Sequence, residues 1–197
     1  MEISAQMVKE LRQSSGAGIM DCKNALKESK GDMDAAVTFL RKKGIARAEK
    51  KLDRSTGEGK VGSYIHAGGK IGVLVQVNCE TDFVANTTDF GDLVKDISMH
   101  IAAANPKFTS RDEVTQEILD KEREIFVHQA KESGKPDNVI DKIVEGKMGK
   151  YYEENCLIDQ TFVKDSSVTI QELIKQKIAI LGENITLGGF SRLEIKG

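Results

Sequence analysis

A β-branched run at residues 71–77 stops abruptly in Asn78-Cys79-Glu80-Thr81-Asp82-Phe83-Val84, just ahead of a segment with helical spacing. The chain must pass from strand to helix within a few residues, with a carboxylate and an aromatic at the turn. An aromatic placed there is either folded back as a core plug or held out as the anchor of an interface, where aromatics are enriched among hot spots. Asp82 beside it weighs against simple burial, because an unpaired carboxylate is costly in an apolar interior.

That strand has a partner upstream. Residues 60–66 and 70–77 flank Ala67-Gly68-Gly69 and read as an antiparallel hairpin with a glycine-containing turn. Beyond the turn at Asp82, the residues Phe90, Leu93, Val94, Ile97 and Ile101 recur with helix spacing until Asn105-Pro106 stops them. A long charged helix follows over about 111–131, ended by Gly134, and Pro136 suits the first turn of another carrying Val139, Ile140, Ile143, Val144, Tyr151 and Tyr152. Ile170, Leu173, Ile174, Ile178 and Leu181 make one more helix, stopped at Gly182. Ile185, Leu187, Phe190, Leu193 and Ile195 read as a strand broken by Gly188-Gly189 as bulge or bend. It can complete the hairpin's sheet, which predicts an α+β core of three antiparallel strands packed with helices.

The first fifty residues read as three short helices. Ser4 caps one carrying Met7, Val8 and Leu11, and Gly16-Ala17-Gly18 stops it. Ile19, Cys22, Ala25 and Leu26 mark the second. Asp32 caps the third, where Met33, Ala36, Val37 and Leu40 form the stripe and Gly44 ends the pattern. Residues 41–54, RKKGIARAEKKLDR, are basic and apolar-poor and read as a linker. Two domains are expected: 1–54, a three-helix module with its basic linker, and 55–197, the α+β core. Charge follows that division, with 12 Lys and Arg against 8 Asp and Glu in the first part and 17 against 23 in the second.

A net charge of -2 gives no global attraction to nucleic acid. Cys22, Cys79 and Cys156 are odd in number, far apart and without CxxC spacing, so neither a disulfide framework nor a zinc site is indicated, and a reducing cytoplasm fits. Met1-Glu2-Ile3-Ser4 is not a basic start to an apolar run. No stretch approaches the roughly 20 apolar residues that span a bilayer, so a soluble, unexported chain is expected.

Several catalytic patterns fail on context. Gly57-Glu58-Gly59-Lys60-Val61-Gly62 matches GxGxxG but leads into a strand, whereas a phosphate site needs the glycines to open a helix; it reads as a flexible entry to the hairpin. Asp89-Phe90-Gly91 imitates a kinase motif with no accompanying lysine strand or HRD loop. His66, His100 and His128 lie in three different elements without a nucleophile or ligand pattern, which speaks against an enzyme. His66 ends a hairpin strand, where it is either a simple polar turn residue or a contact projecting toward solvent. The basic run at 41–54 lacks aromatic interleaving and reads as a solvated helix end plus linker, not an RNA surface.

Ser15-Gly16-Ala17-Gly18-Ile19-Met20-Asp21-Cys22-Lys23-Asn24-Ala25-Leu26 and Leu40-Arg41-Lys42-Lys43-Gly44 resemble the N-terminal module of the bacterial elongation factor Ts family. The likeness continues through Ser63-Tyr64-Ile65-His66, the Asn78 to Val84 stretch, Gln160-Thr161-Phe162-Val163-Lys164-Asp165 and Gly182-Glu183-Asn184-Ile185. It covers the chain nearly end to end and looks like a short form with a single core module. The resemblance implies an exchange factor for the GTPase elongation factor Tu, with a ubiquitin-associated-like three-helix module docking on the GTPase domain through Gly16, Ala17, Gly18, Ile19 and Met20. It makes Thr81, Asp82, Phe83 and Val84 the loop inserted near the partner's Mg2+, Phe83 the wedge, Asp82 its polar partner and His66 a second contact. It implies no covalent chemistry, no cofactor and no metal of the chain's own. Where many members carry a basic pair after GENI, this chain has Gly188-Gly189. The short form also implies a homodimer, giving a two-plus-two complex with the GTPase.

Overall fold

Residues 3–134 and 136–195 are described by the computed structural model. Its first and third helices start where short polar side chains satisfy free backbone N–H groups, whereas the second opens at Gly18 without a side-chain cap. The Ser4 hydroxyl accepts from Met7 N at 3.2 Å to open α1 (Ala5–Ser15), which closes on Gly16 at φ +66°. After α2 (Ile19–Glu28), the Asp32 carboxylate accepts from Ala35 N at 2.9 Å to open α3 (Met33–Glu49). Leu11, Cys22, Ala25, Leu26, Ala36 and Leu40 form their common core.

Strands β1 (Glu58–Ile65), β2 (Ile71–Cys79) and β3 (Ile185–Glu194) make one antiparallel sheet in the order β1-β2-β3. The hairpin register is fixed by His66 N donating to Ile71 O at 2.9 Å, and that of β3 by Ile195 N donating to Lys70 O at 2.9 Å. Val73, Val75, Val77 and Cys79 are the buried face of β2. On β3 the inward parity slips by one residue, from buried Ile185 to Arg192, whose guanidinium donates to Ala102 O. Gly189, at φ +133°, lies at that slip, within the Gly188-Gly189 pair read as bulge or bend.

Five helices lie between β2 and β3 in the chain: α4 (Asp82–Ala85), α5 (Thr88–Ala104), α6 (Gln116–Glu132), α7 (Asp137–Asn155) and α8 (Ile170–Leu181). Phe90, Leu93, Val94, Ile97 and Ile101 of α5 are all buried, as their spacing predicts. Helices α6 and α7 pair through Ala130, Ile140, Val144 and Met148.

Four expectations are corrected. Helix α3 does not end at Gly44 but runs to Glu49. A Cβ at Gly44 would stand 3.2 Å from the Ala179 Cβ, so the glycine admits α8 at close range, and that packing outweighs a propensity cost of about 1 kcal/mol. The run 41–54 is correspondingly no free linker: Lys43 and Arg47 hold Asp21, Lys51 donates to Gly182 O, and Arg54 pairs with Glu80. Of the GxGxxG glycines, Gly59 and Gly62 are no flexible entry, since both lie inside β1, which Gly57 precedes. A Cβ at Gly59 would stand 2.2 Å from Val77 O, and one at Gly62 2.2 Å from the Val94 Cγ1. The helix expected over 111–131 is a separate turn, Arg111–Glu113, followed by α6. There Glu113 turns back to accept from Thr109 N at 2.7 Å, and Thr115 then opens α6 as its cap. Pro136 precedes α7 as its cap residue.

The chain groups into two compact units, one of residues 1–60, 77–93 and 172–186 and the other of 61–76, 94–171 and 187–197. The first contains α1 to α4, the start of α5 and most of α8; the second contains α6, α7, the hairpin turn and the end of β3.

Candidate functional site

β2 delivers the chain to Cys79, whose side chain is buried and whose thiol donates to Thr81 O at 3.1 Å. Burial raises the Cys79 pKa, as does the Glu183 carboxylate nearby, so the sulfur stays a protonated structural donor, not a nucleophile. Thr81 then caps the single turn α4, its Oγ1 accepting from Val84 N at 3.4 Å. Phe83 sits on that turn and is 82% exposed. The ring is therefore no core plug. Asp82 is also exposed, while Val84 is half-buried and Ala85 buried, so α4 rests on its far side and turns its aromatic to water.

The turn is held from below by residues distant in sequence. Glu183 accepts from Thr81 N at 3.0 Å through one oxygen and from the Thr81 hydroxyl at 2.6 Å through the other. In return, Glu80 accepts from Asn184 N at 2.7 Å. Asn184, fully buried, donates its amide hydrogens to Leu52 O and Arg54 O at 3.0 and 2.8 Å. Sequence reasoning assigned these residues no role, although Gly182-Glu183-Asn184-Ile185 was visible as a helix stop followed by two polar residues.

Gly16, Ala17 and Gly18 form the α1–α2 turn in the same unit, and Ile19 and Met20 open α2. Ile19 and Met20 are 56% and 66% exposed, unusual for an isoleucine and a methionine side by side. A groove of about 400 Å3 beside Ile19 is lined by Ile3, Val8, Lys9, Arg12 and Lys23. Just behind, Asp21 is held by Arg47 through two hydrogen bonds of 2.8 and 3.0 Å and by Lys43 at 3.1 Å. Those bonds, the arginine's foremost, depress the Asp21 pKa below its ordinary value. Gly16 also meets α8, where an added Cβ would be 3.2 Å from the Ile180 Cδ1.

His66 belongs to the second unit. It is exposed at the hairpin turn, with the Tyr64 hydroxyl 3.1 Å from its Nδ1. His100, by contrast, is a satisfied core residue bonded to Gln160 at 3.0 Å, and His128 is exposed on α6. Among the described residues, no group of three or more His, Cys, Asp or Glu could hold a metal ion, and no helix is long and apolar enough to cross a membrane.

Fold and loop together define an α+β protein with a helical N-terminal module and a solvent-facing aromatic at a strand-to-helix turn. The chain belongs to the elongation factor Ts family of translation elongation factors. The family model described as Elongation factor TS matches residues 35–197. Elongation factor Ts of Caldanaerobacter subterraneus subsp. tengcongensis is 57% identical over 192 residues, covering 98% of this chain and 96% of that protein. Elongation factor Ts of Fervidobacterium nodosum is 55% identical over 195 residues, 99% of each chain, and that of Geobacter sulfurreducens 55% identical over 98% of this chain and 89% of its own.

Proposed function

We propose that this chain is a guanine-nucleotide exchange factor that binds elongation factor Tu carrying GDP, disturbs its Mg2+ site and releases the nucleotide so that GTP can bind. The observation that carries this reading is Phe83, 82% exposed. GDP is held in such GTPases by phosphate contacts and by Mg2+, whose near-octahedral shell tolerates little distortion. Wedging a ring into the packing that positions the metal side weakens that hold. In this reading Thr81 and Val84 frame the wedge, and Asp82 supplies a polar contact beside it. His66 is a second contact, and Gly16, Ala17, Gly18, Ile19 and Met20 carry the docking surface of a module spanning residues 1–54.

Coupling is reciprocal, so an exchange factor that weakens nucleotide binding is itself bound less tightly when nucleotide is present, and incoming GTP expels it. No covalent bond is made or broken, and no cofactor or metal of the chain's own is required. The setting is the cytoplasm, without direct contact to nucleic acid or membrane. A homodimer would give a two-plus-two complex, and the exposed apolar residues Val61, Ile65, Leu74 and Leu193 of the sheet support that arrangement.

Stopped-flow release of fluorescent GDP from elongation factor Tu tests the reading. The wild type accelerates release; Phe83→Ala loses roughly thirtyfold or more, the scale of an aromatic hot spot, and His66→Ala loses less. A wild type without effect would defeat the function, and an unimpaired Phe83 variant would defeat the wedge.

A further inference from the structure

A wedge transmits force only if the backbone under it is fixed, and α4 is too short to fix itself: four residues make one turn. Its cap residue, Thr81, is instead tied to Glu183, from a turn 102 positions away in sequence. We infer that Glu183 is a positioning residue for Phe83, setting the orientation of the aromatic turn before any partner arrives; the consequence for exchange rests on the function proposed above.

Both polar hydrogens of Thr81 have a defined acceptor. The Thr81 hydroxyl has one hydrogen, and Glu183 takes it at 2.6 Å. That leaves the oxygen lone pairs of Thr81 directed away, where Val84 N donates to them at 3.4 Å. The second carboxylate oxygen of Glu183 takes Thr81 N at 3.0 Å, so backbone and side chain of the cap are fixed by one group. Both bonds have a carboxylate acceptor, the stronger class. Glu183 is in turn held in place by its neighbours, because Asn184 is bonded through its backbone to Glu80 and through its side chain to Leu52 and Arg54, and Gly182 O accepts from Lys51. Glutamine at 183 keeps one acceptor oxygen but presents an NH2 to the other Thr81 donor.

The chain has no tryptophan, so Phe83→Trp places a single tryptophan on the turn, excited at the red edge where tyrosine does not absorb. In the free protein carrying that reporter, Glu183→Gln and Thr81→Val are expected to lower the tryptophan anisotropy, whereas Thr81→Ser, which keeps the hydroxyl, preserves it. In GDP release with Phe83 in place, Glu183→Gln is expected to lose roughly tenfold of the acceleration, as for one charge-assisted bond, with Thr81→Ser near wild type. On a Phe83→Ala background, Glu183→Gln adds no further loss. Unchanged tryptophan anisotropy in both Glu183→Gln and Thr81→Val, or an undiminished loss on the Phe83→Ala background, would overturn the inference. The anisotropy needs no partner, so it decides the brace even if the wild type proves inactive in exchange, which separates this failure from that of the proposed function.

Discussion

Phe83 keeps most of its ring in water, and its removal therefore costs the free chain little. Phe83→Ala is expected to shift stability by no more than about 0.5 kcal/mol, as for exposed positions without special backbone roles; matching urea midpoints for variant and wild type would check this. Gly62 is the opposite case. It lies in β1, and a Cβ there would stand 2.2 Å from the Val94 Cγ1 and 3.1 Å from the Ser98 Oγ of α5. Gly62→Ala is expected to destabilise by about 1–3 kcal/mol through overpacking, read as a lowered thermal midpoint with no loss of helix signal below it. At this scale the sequence offered the residue types but not their contacts. The aromatic at the turn was visible, its exposure was one of two open accounts, and the glycines of GxGxxG looked like flexibility because nothing local announces a helix pressed against a strand.

Elements were legible where periodicity and caps agreed. The spacing of Phe90, Leu93, Val94, Ile97 and Ile101 predicts α5, and Ser4 and Asp32 predict the starts of α1 and α3, because each signal is set within a few residues. The end of α3 was not legible, since the reason it passes Gly44 is Ala179, far along the chain. The Glu183 brace was hidden in the same way: its partners are brought together only by folding. A pH effect belongs to this scale as well, because His100 ties α5 to the segment after α7. Its Nδ1 accepts from Val163 N at 3.3 Å, so the ring proton is on Nε2 and donates to Gln160 Oε1 at 3.0 Å. Burial holds the His100 pKa below the ordinary 6.5, with the Gln160 bond opposing. The unfolded chain then takes up the proton more readily than the folded one, so this contribution is intact above 6.5 and is lost as pH falls toward and through the folded value. Urea midpoints measured from about pH 7.5 down to about pH 5.5 are expected to fall, and to fall less in His100→Gln, whose side chain does not titrate.

At the scale of the whole molecule, the second unit carries several exposed apolar residues on one face of its sheet, among them Ile65, Leu74 and Leu193. Ile65 stands opposite Gly72, one residue in from the His66–Ile71 bond, and a Cβ on Gly72 would touch its Cδ1 at 3.1 Å. Leu193, two residues in from the Ile195–Lys70 bond, faces Gly72 from the other side and is 75% exposed, and Leu74 lies next along β2. Residues from three neighbouring strands thus make one continuous patch, where lone exposed apolar residues would need no explanation. A second copy can cover it with the same surface, because a two-fold axis pairs identical patches. The charged substitution Leu193→Glu removes no contact within the chain beyond those of an exposed side chain, yet two copies would bring two uncompensated carboxylates into the joint. Sedimentation equilibrium is therefore expected to give a dimer for the wild type and a folded monomer for Leu193→Glu, with Phe83→Ala remaining dimeric. A monomeric wild type, or a Leu193→Glu variant as dimeric as its parent, would remove this face from the assembly.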